Sequence, residues 1–283
     1  MTIYEPIHTS LPNSSLKNNK SGGDLSPLKK GCFSSKMEEK GIVRLNLRTR
    51  IKLNDESWTE RIEQTEFSTT KIAILLCDIW DNHWCSGAKK RIDMLVPRID
   101  EVISIARENG IQIIHSPSDT MSFYKDSIYR KRILDIPKIE PVEILTFNEP
   151  PLPIDDSDGG CDTEEKPWYR AWSREHPSIR FGENDVVSDN GIEIYSFLKY
   201  TRIDTLIYVG FHTNMCILNR SFGIRQMKRW GINCILVRDL TDAMYSPTMP
   251  PYVSHKKGTE LVIEHIERYL SPTILSEDLE KLY

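Results

Sequence analysis

The chain has 283 residues, 39% of them hydrophobic, with 41 acidic against 37 basic side chains and a formal net charge of -4. That length supports one sizeable core or two small ones. The mild acidity offers no basic stripe of the kind that nucleic-acid or membrane binding needs, and no apolar run approaches the roughly 18 residues of a membrane span.

Residues 1–40 are rich in Ser, Asn, Lys, Gly and Pro. Such a segment buries too little apolar surface to offset its ordering entropy, so a disordered tail is expected there. It shows no basic stretch followed by an apolar one, so no secretory signal is expected and a cytoplasmic location is. Residues 41–283 then read as a single domain. "IVRLNLRTRIKL" (42–53) alternates apolar and polar residues, as an edge strand or hairpin does. "IAILLC" (72–77) is a continuous apolar run, the pattern of a strand buried on both faces. The segment 91–110 keeps Ile92, Leu95, Val96, Ile99, Val102, Ile103 and Ala106 at helical spacing; Pro97 would kink this helix or mark its first turn. "IQIIHS" is the second buried strand.

A polar, proline-containing excursion follows, from about 116 to 180, with a weaker strand expected at "VEILTF" (142–147). Excursions of this length usually carry function. Beyond it the spacing predicts a helix over 191–204, a strand over 205–210, a helix over 215–231, a strand over 232–239 and a terminal helix over 258–270. Alternating strands and helices predict a mostly parallel α/β sheet with helices on both faces, and ligands at the carboxyl ends of its strands.

Six cysteines are scattered without paired spacing, which argues against a disulfide framework or a structural zinc site. Cys216 differs from the others. It follows the strand "LIYVG" by a short turn and opens a helix, where the helix dipole favours thiolate and unbonded N–H groups are available to an oxyanion. The bland alternative is a small apolar residue packed against the sheet. Asp78 ends the first buried strand; a carboxylate there serves as a general base or merely orders the loop. In "DIWDNHWC", Asp81, His83 and Cys85 alternate, so Asp81 and His83 are the weak candidates for a divalent metal, against the reading of an ordinary polar loop packed by Trp80 and Trp84. His115 and His212 also fall at strand ends. "DDSDGGCD" (155–162) lacks the closing Glu of a calcium loop and reads as an acidic turn.

Taken together, "IAILLCDIWDNHW", "ENGIQIIHSPSD" and "IDTLIYVGFHTNMCILNRSFGIRQMKRWGINCILVRDLTDA" resemble the isochorismatase-like cysteine hydrolase superfamily over about residues 70–270. The resemblance implies a three-layer α/β/α sandwich around a six-stranded mostly parallel sheet. It also implies a Cys nucleophile, an Asp base and a Lys, which match Cys216, Asp78 and nothing obvious. Ser188, Asp189 and Asn190 stand where the Lys is expected. Arg174 is the favoured substitute, ahead of His176 and Lys125. A non-proline cis peptide is implied near Phe211–His212. His212, Thr213 and Asn214 would shape the oxyanion region, and His83, Trp84, Trp80, Asp119 and Tyr124 the substrate pocket. The implied activity is hydrolysis of an amide-type C–N bond in a small molecule, with no cofactor required and a homo-oligomeric assembly. The missing Lys leaves open a catalytically silent binding protein on the same fold.

Overall fold

The computed structural model describes residues 41–281 apart from 164 and 167, so the expected tail lies outside the described residues. In chain order the elements are β1 (Ile42–Lys52), β2 (Trp58–Ser68), β3 (Ile72–Cys77), α1 (Ser86–Glu108), β4 (Gln112–Ser116), α2 (Met121–Tyr124), α3 (Ile128–Leu134), β5 (Val186–Val187), α4 (Gly191–Thr201), β6 (Thr205–Phe211), α5 (Cys216–Asn219), α6 (Ile224–Arg229), β7 (Asn233–Asp242), α7 (His255–Tyr269) and β8 (Thr273–Ile274). No helix among the described residues is long and apolar enough to cross a membrane.

The strands form one sheet in the order β2-β1-β8-β7-β6-β3-β4-β5. The sheet thus has eight strands where six were expected. From β8 to β5 the six neighbours pair in parallel. The two extra strands are the β1–β2 hairpin, which joins antiparallel to β8 through Arg48 and Thr273. β3 and β6 are buried along their whole length, as strands covered on both faces must be.

Alternation along β3 assigns the two faces. Ile72, Ile74 and Leu76 point to the layer formed by α1, where Ile92, Val96, Ile99 and Ile103 are buried. Ala73, Leu75 and Cys77 point to the layer formed by α4, α5, α6 and α7, with Phe197, Leu218, Met227 and Val262 buried against them. Three α/β/α layers result. Each buried aliphatic side chain contributes about 1.5–3 kcal/mol over its exposed state.

Three local expectations change. α1 begins at Ser86 and runs through Pro97, so the proline does not mark its first turn. The segment 142–147 is extended but forms no strand: Val142, Ile144 and Leu145 are exposed, and its main chain reaches only the Arg229 carbonyl, through Ile144 and Leu145 N–H. The helix expected over 215–231 breaks into α5 and α6 between Arg220 and Gly223. A Cβ at Gly223 would sit 2.8 Å from the Leu218 carbonyl, so only glycine admits that close return of the chain.

The excursion is tied down at two levels. Its main chain pairs with the loop after β3: Asp81 N–H donates to Arg174 O at 3.0 Å and His176 N–H to Ile79 O at 2.7 Å. Below this, buried His115 lies between two carboxylates, 2.7 Å from Glu175 and 2.9 Å from Asp185, with Arg107 on the far side of Asp185 at 2.9 Å. Burial alone would pull the imidazole down, but Glu175 and Asp185 outweigh it and hold His115 up at about 9. His115, placed by the sequence at a strand end, is a buried cation fastening the excursion.

A histidine raised from 6.5 to about 9 adds stability that is fully present below 6.5 and lost as pH rises through 9. The contribution is on the order of 3 kcal/mol. Denaturant midpoints should therefore fall between those pH values, and His115→Gln should remove that slope while lowering stability at neutral pH. A flat profile in the unaltered chain would refute the charged assignment.

Candidate active site

β3 and β6 are neighbours, so their carboxyl ends bring Asp78 and the turn before Cys216 together. The approach is closest at Gly210, whose φ is +112° and where a Cβ would lie 2.2 Å from the Cys77 carbonyl oxygen. Only glycine permits this contact. Asp78 itself adopts a positive φ of 48°, which swings its carboxylate off the strand axis and over the sheet edge. The peptide Phe211–His212 is cis, as the resemblance implied.

Asp78 is wholly buried. One carboxylate oxygen accepts from Ser118 N–H at 2.7 Å and the other from the Arg220 Nε–H at 3.0 Å. The Cys216 thiol lies beside the same carboxylate, close enough that each group shifts the other's pKa. Burial raises the Asp78 pKa, with Arg220, Cys216 and Ser118 pulling the other way. Burial and the adjacent Asp78 charge push the Cys216 thiol well up, opposed by Arg220 and a main-chain bond from His212. The resting sulfur at neutral pH is therefore a thiol, seated beside Asp78.

Arg220 is the side chain that sequence reasoning missed. It lies four residues after Cys216, one helical turn on, a spacing that places two side chains on one face. The helix dipole was credited with the positive charge at Cys216, but α5 is only four residues long and supplies little of it. The Arg220 guanidinium does instead. It also reaches Asp119 at 3.3 Å and lies 5.9 Å from the Trp80 ring. Arg174 is elsewhere: its guanidinium lies 5.5 Å from the Phe123 ring, and its main chain pairs with Asp81. His176 bonds Asp93. Among the described residues, the cation paired with Asp78 is Arg220.

The other expected residues divide. Thr213 and Asn214 hold the turn rather than face a ligand. Thr213 N–H donates to Asp242 O, and the Asn214 amide bridges Asp156 and the Met244 main chain. The Tyr124 hydroxyl accepts from Glu175 N–H, which supports the excursion and not a pocket. Asp81 is occupied by Ser173, and His83 Nδ1 accepts from Cys85 N–H, so these two do not come together as a metal pair. Burial pulls His83 down to about 4, leaving a neutral ring edge-on to His212, 5.0 Å between centroids. His212 Nε2 is buried without a partner.

Cys216 packs on an apolar cluster containing Trp80, Trp84, Trp172 and Met244. Trp172, supplied by the excursion and not anticipated, lies flat on Trp80 at 3.9 Å with planes 7° apart. The wall behind this cluster carries a covalent link, contrary to the expectation of unpaired cysteines: Cys85 and Cys161 form a disulfide across a sequence separation of 76. Only the fold brings the two together, with Gly160 tight against the Met244 carbonyl. Cys77, Cys216 and Cys234 are free.

No family model matches the chain, and no curated protein matches it. Solved structures similar to it include a cysteine hydrolase from Pseudomonas syringae pv. phaseolicola, at 15% identity over 76% of this chain and 92% of that one, with a TM-score of 0.49. An isochorismatase from Pseudomonas putida is 15% identical over 74% and 90%, TM-score 0.45. A pyrazinamidase of Pyrococcus horikoshii, in complex with zinc, is 15% identical over 68% and 94%, TM-score 0.40. At such identities these likenesses concern architecture, and the chemistry rests on this chain's own residues.

Removing the guanidinium should raise both the Asp78 and the Cys216 pKa further. Arg220→Met should then slow alkylation of Cys216 by iodoacetamide at neutral pH by about tenfold, the equivalent of one pKa unit. Arg174→Ala should leave that rate unchanged. Equal effects of the two substitutions, read by peptide mass spectrometry, would return the role to Arg174.

Proposed function

We propose that the chain is a hydrolase that cleaves an amide-type C–N bond of a small molecule through Cys216. The observation that supports this most is the meeting of a half-buried thiol, a buried carboxylate and a guanidinium at one sheet edge.

The thiol is a poor nucleophile at rest, and Asp78 supplies the remedy. As the sulfur attacks the substrate carbonyl, its proton passes to the neighbouring Asp78 carboxylate. Asp78, now a carboxylic acid, gives that proton to the departing nitrogen as the C–N bond breaks, leaving a thioester on Cys216. Water then attacks the thioester while Asp78 takes a proton from it, and the thiol is restored as the acid product leaves. The raised pKa of Asp78 suits both directions of transfer, because a group too acidic would not accept the proton.

Arg220 stays charged throughout, so it moves no proton. Its charge steadies Asp78 and lowers the cost of thiolate as it forms. As the first residue of α5, Cys216 carries an N–H with no acceptor inside the helix, and that group is placed to meet the developing oxyanion. His212 Nε2, buried and unpartnered beside it, remains neutral because burial holds its pKa far down.

The rival reading is a catalytically silent binding protein, which rests on the missing family lysine. Arg220 at Asp78 supplies the positive charge that the lysine would have brought, so the geometry favours the hydrolase.

Against a panel of small primary amides and ureido compounds, ammonia release should fall by about a thousandfold or more in Cys216→Ala and by about a hundredfold or more in Asp78→Asn. Undiminished turnover in Cys216→Ala would sink the mechanism, and full ligand binding with no turnover in the unaltered chain would favour the silent binder. Because protonated Asp78 cannot act as a base, kcat/KM should drop as pH falls through a value above the ordinary 3.8 of an aspartate. In Arg220→Met that acid limb should move to higher pH.

A further inference from the structure

Cys85 is the residue that caps α1, and Cys161 lies on the excursion. Their Cα atoms are 5.7 Å apart. A dithiol reductant delivers two electrons and two protons to the disulfide and leaves two thiols at this spacing. The third member of the group is Glu165. The donor atoms of Cys85, Cys161 and Glu165 all lie within 4.8 Å of one another, the one such group among the described residues.

We propose that in the reduced chain Cys85, Cys161 and Glu165 bind zinc, with water as the fourth ligand. This goes beyond the hydrolase reading and does not depend on it. The donor set suits the metal. Two thiolates are soft ligands that select zinc over magnesium or calcium, and a carboxylate completes a common zinc set. Zinc replaces the two thiol protons, which are released to solvent. With metal–sulfur bonds near 2.3 Å and metal–oxygen bonds near 2.1 Å, tetrahedral neighbours stand roughly 3.5 Å apart. The Cys161 sulfur already lies 3.3 Å from the Glu165 carboxylate. Side-chain rotation alone separates the two sulfurs once their bond is gone, since the backbone positions can stay.

The carboxylate is aimed beforehand. Ser86 N–H, at the start of α1, donates to one oxygen of Glu165 at 3.3 Å, and the Thr163 hydroxyl donates to the other. These two bonds hold Glu165 down at about 2. Thr163 Oγ1 also stands 3.4 Å from the Cys85 sulfur and 3.5 Å from the Cys161 sulfur, placed to bond whatever ligand atoms the metal gathers. Asp162, though 3.8 Å from the Cys85 sulfur, is engaged by both terminal nitrogens of Arg91 and stays outside the set. In a reducing medium the metal would keep the excursion fastened to α1, as the disulfide does in an oxidising one.

The full chain, oxidised in one sample and reduced with dithiothreitol then desalted in another, is titrated with zinc against a chromophoric chelator and with cobalt by absorption. The reduced chain should take up a single equivalent and show a thiolate-to-cobalt band in the near ultraviolet; the oxidised chain should show neither. This comparison needs no substitution and so cannot be confused by misfolding. Cys161→Ser should abolish the band, Glu165→Gln should weaken zinc binding at least about tenfold, as loss of even an outer-sphere partner does, and Cys216→Ser should keep both signals. Absence of uptake by the reduced chain, equal uptake by the oxidised chain, or a band that survives Cys161→Ser but not Cys216→Ser would overturn the proposal.

Discussion

The ion pair between Asp78 and Arg220 is the constraint on which the rest of the site depends. A carboxylate fully enclosed at the tip of a buried strand is costly unless hydrogen-bonded and charge-matched. Ser118 and Arg220 satisfy it on separate oxygens. Arg220 reaches it from the residue that ends α5, where the chain leaves the helix before α6 begins. β6 presses against β3 at Gly210. The end of α5, the glycine and the left-handed Asp78 thus meet at one ion pair.

Much of this was legible from residues alone. Continuous apolar runs gave the buried strands, helical spacing gave α1, α4 and α7, and strand ends singled out Asp78 and Cys216. Arg220 was legible too, as the cation one helical turn beyond Cys216, but a dipole argument assumed a long helix and so assigned the charge to the wrong source. Arg174, the expected substitute for the lysine, lies in the excursion, where its main chain serves for anchoring and its side chain covers Phe123. What sequence could not supply are meetings between distant segments. The Cys85–Cys161 link, the Trp80–Trp172 stack and the His115 clamp each join residues dozens of positions apart, and no periodicity encodes them.

The excursion emerges as scaffold more than as loop. It contributes Trp172 to the apolar cover of Cys216, Asp156 to the Asn214 amide, and Glu175 to buried His115, whose second carboxylate, Asp185, stands just before β5. Of the side chains expected to face substrate, Asn214 bonds this segment, Tyr124 belongs to it, and Thr213 is held by β7. Tyr124, Thr213 and Asn214 set main chain in place so that few groups remain directed at the sulfur: Asp78, Arg220 and the N–H groups of the turn. A site with so few reacting groups gains its precision from what surrounds them.

The β1–β2 hairpin has a consequence for self-association. It moves one margin of the sheet outward to β2, an eleven-residue strand whose outer side has no neighbour in the sheet among the described residues. Such a margin invites another copy to dock strand against strand. β2 answers with Glu60, Arg61, Glu63 and Glu66 along an exposed stretch, charged side chains that a second β2 would have to desolvate as it approached. The opposite margin, β5, is two residues long and offers almost no ladder. Continuous growth of the sheet is thereby discouraged at both ends.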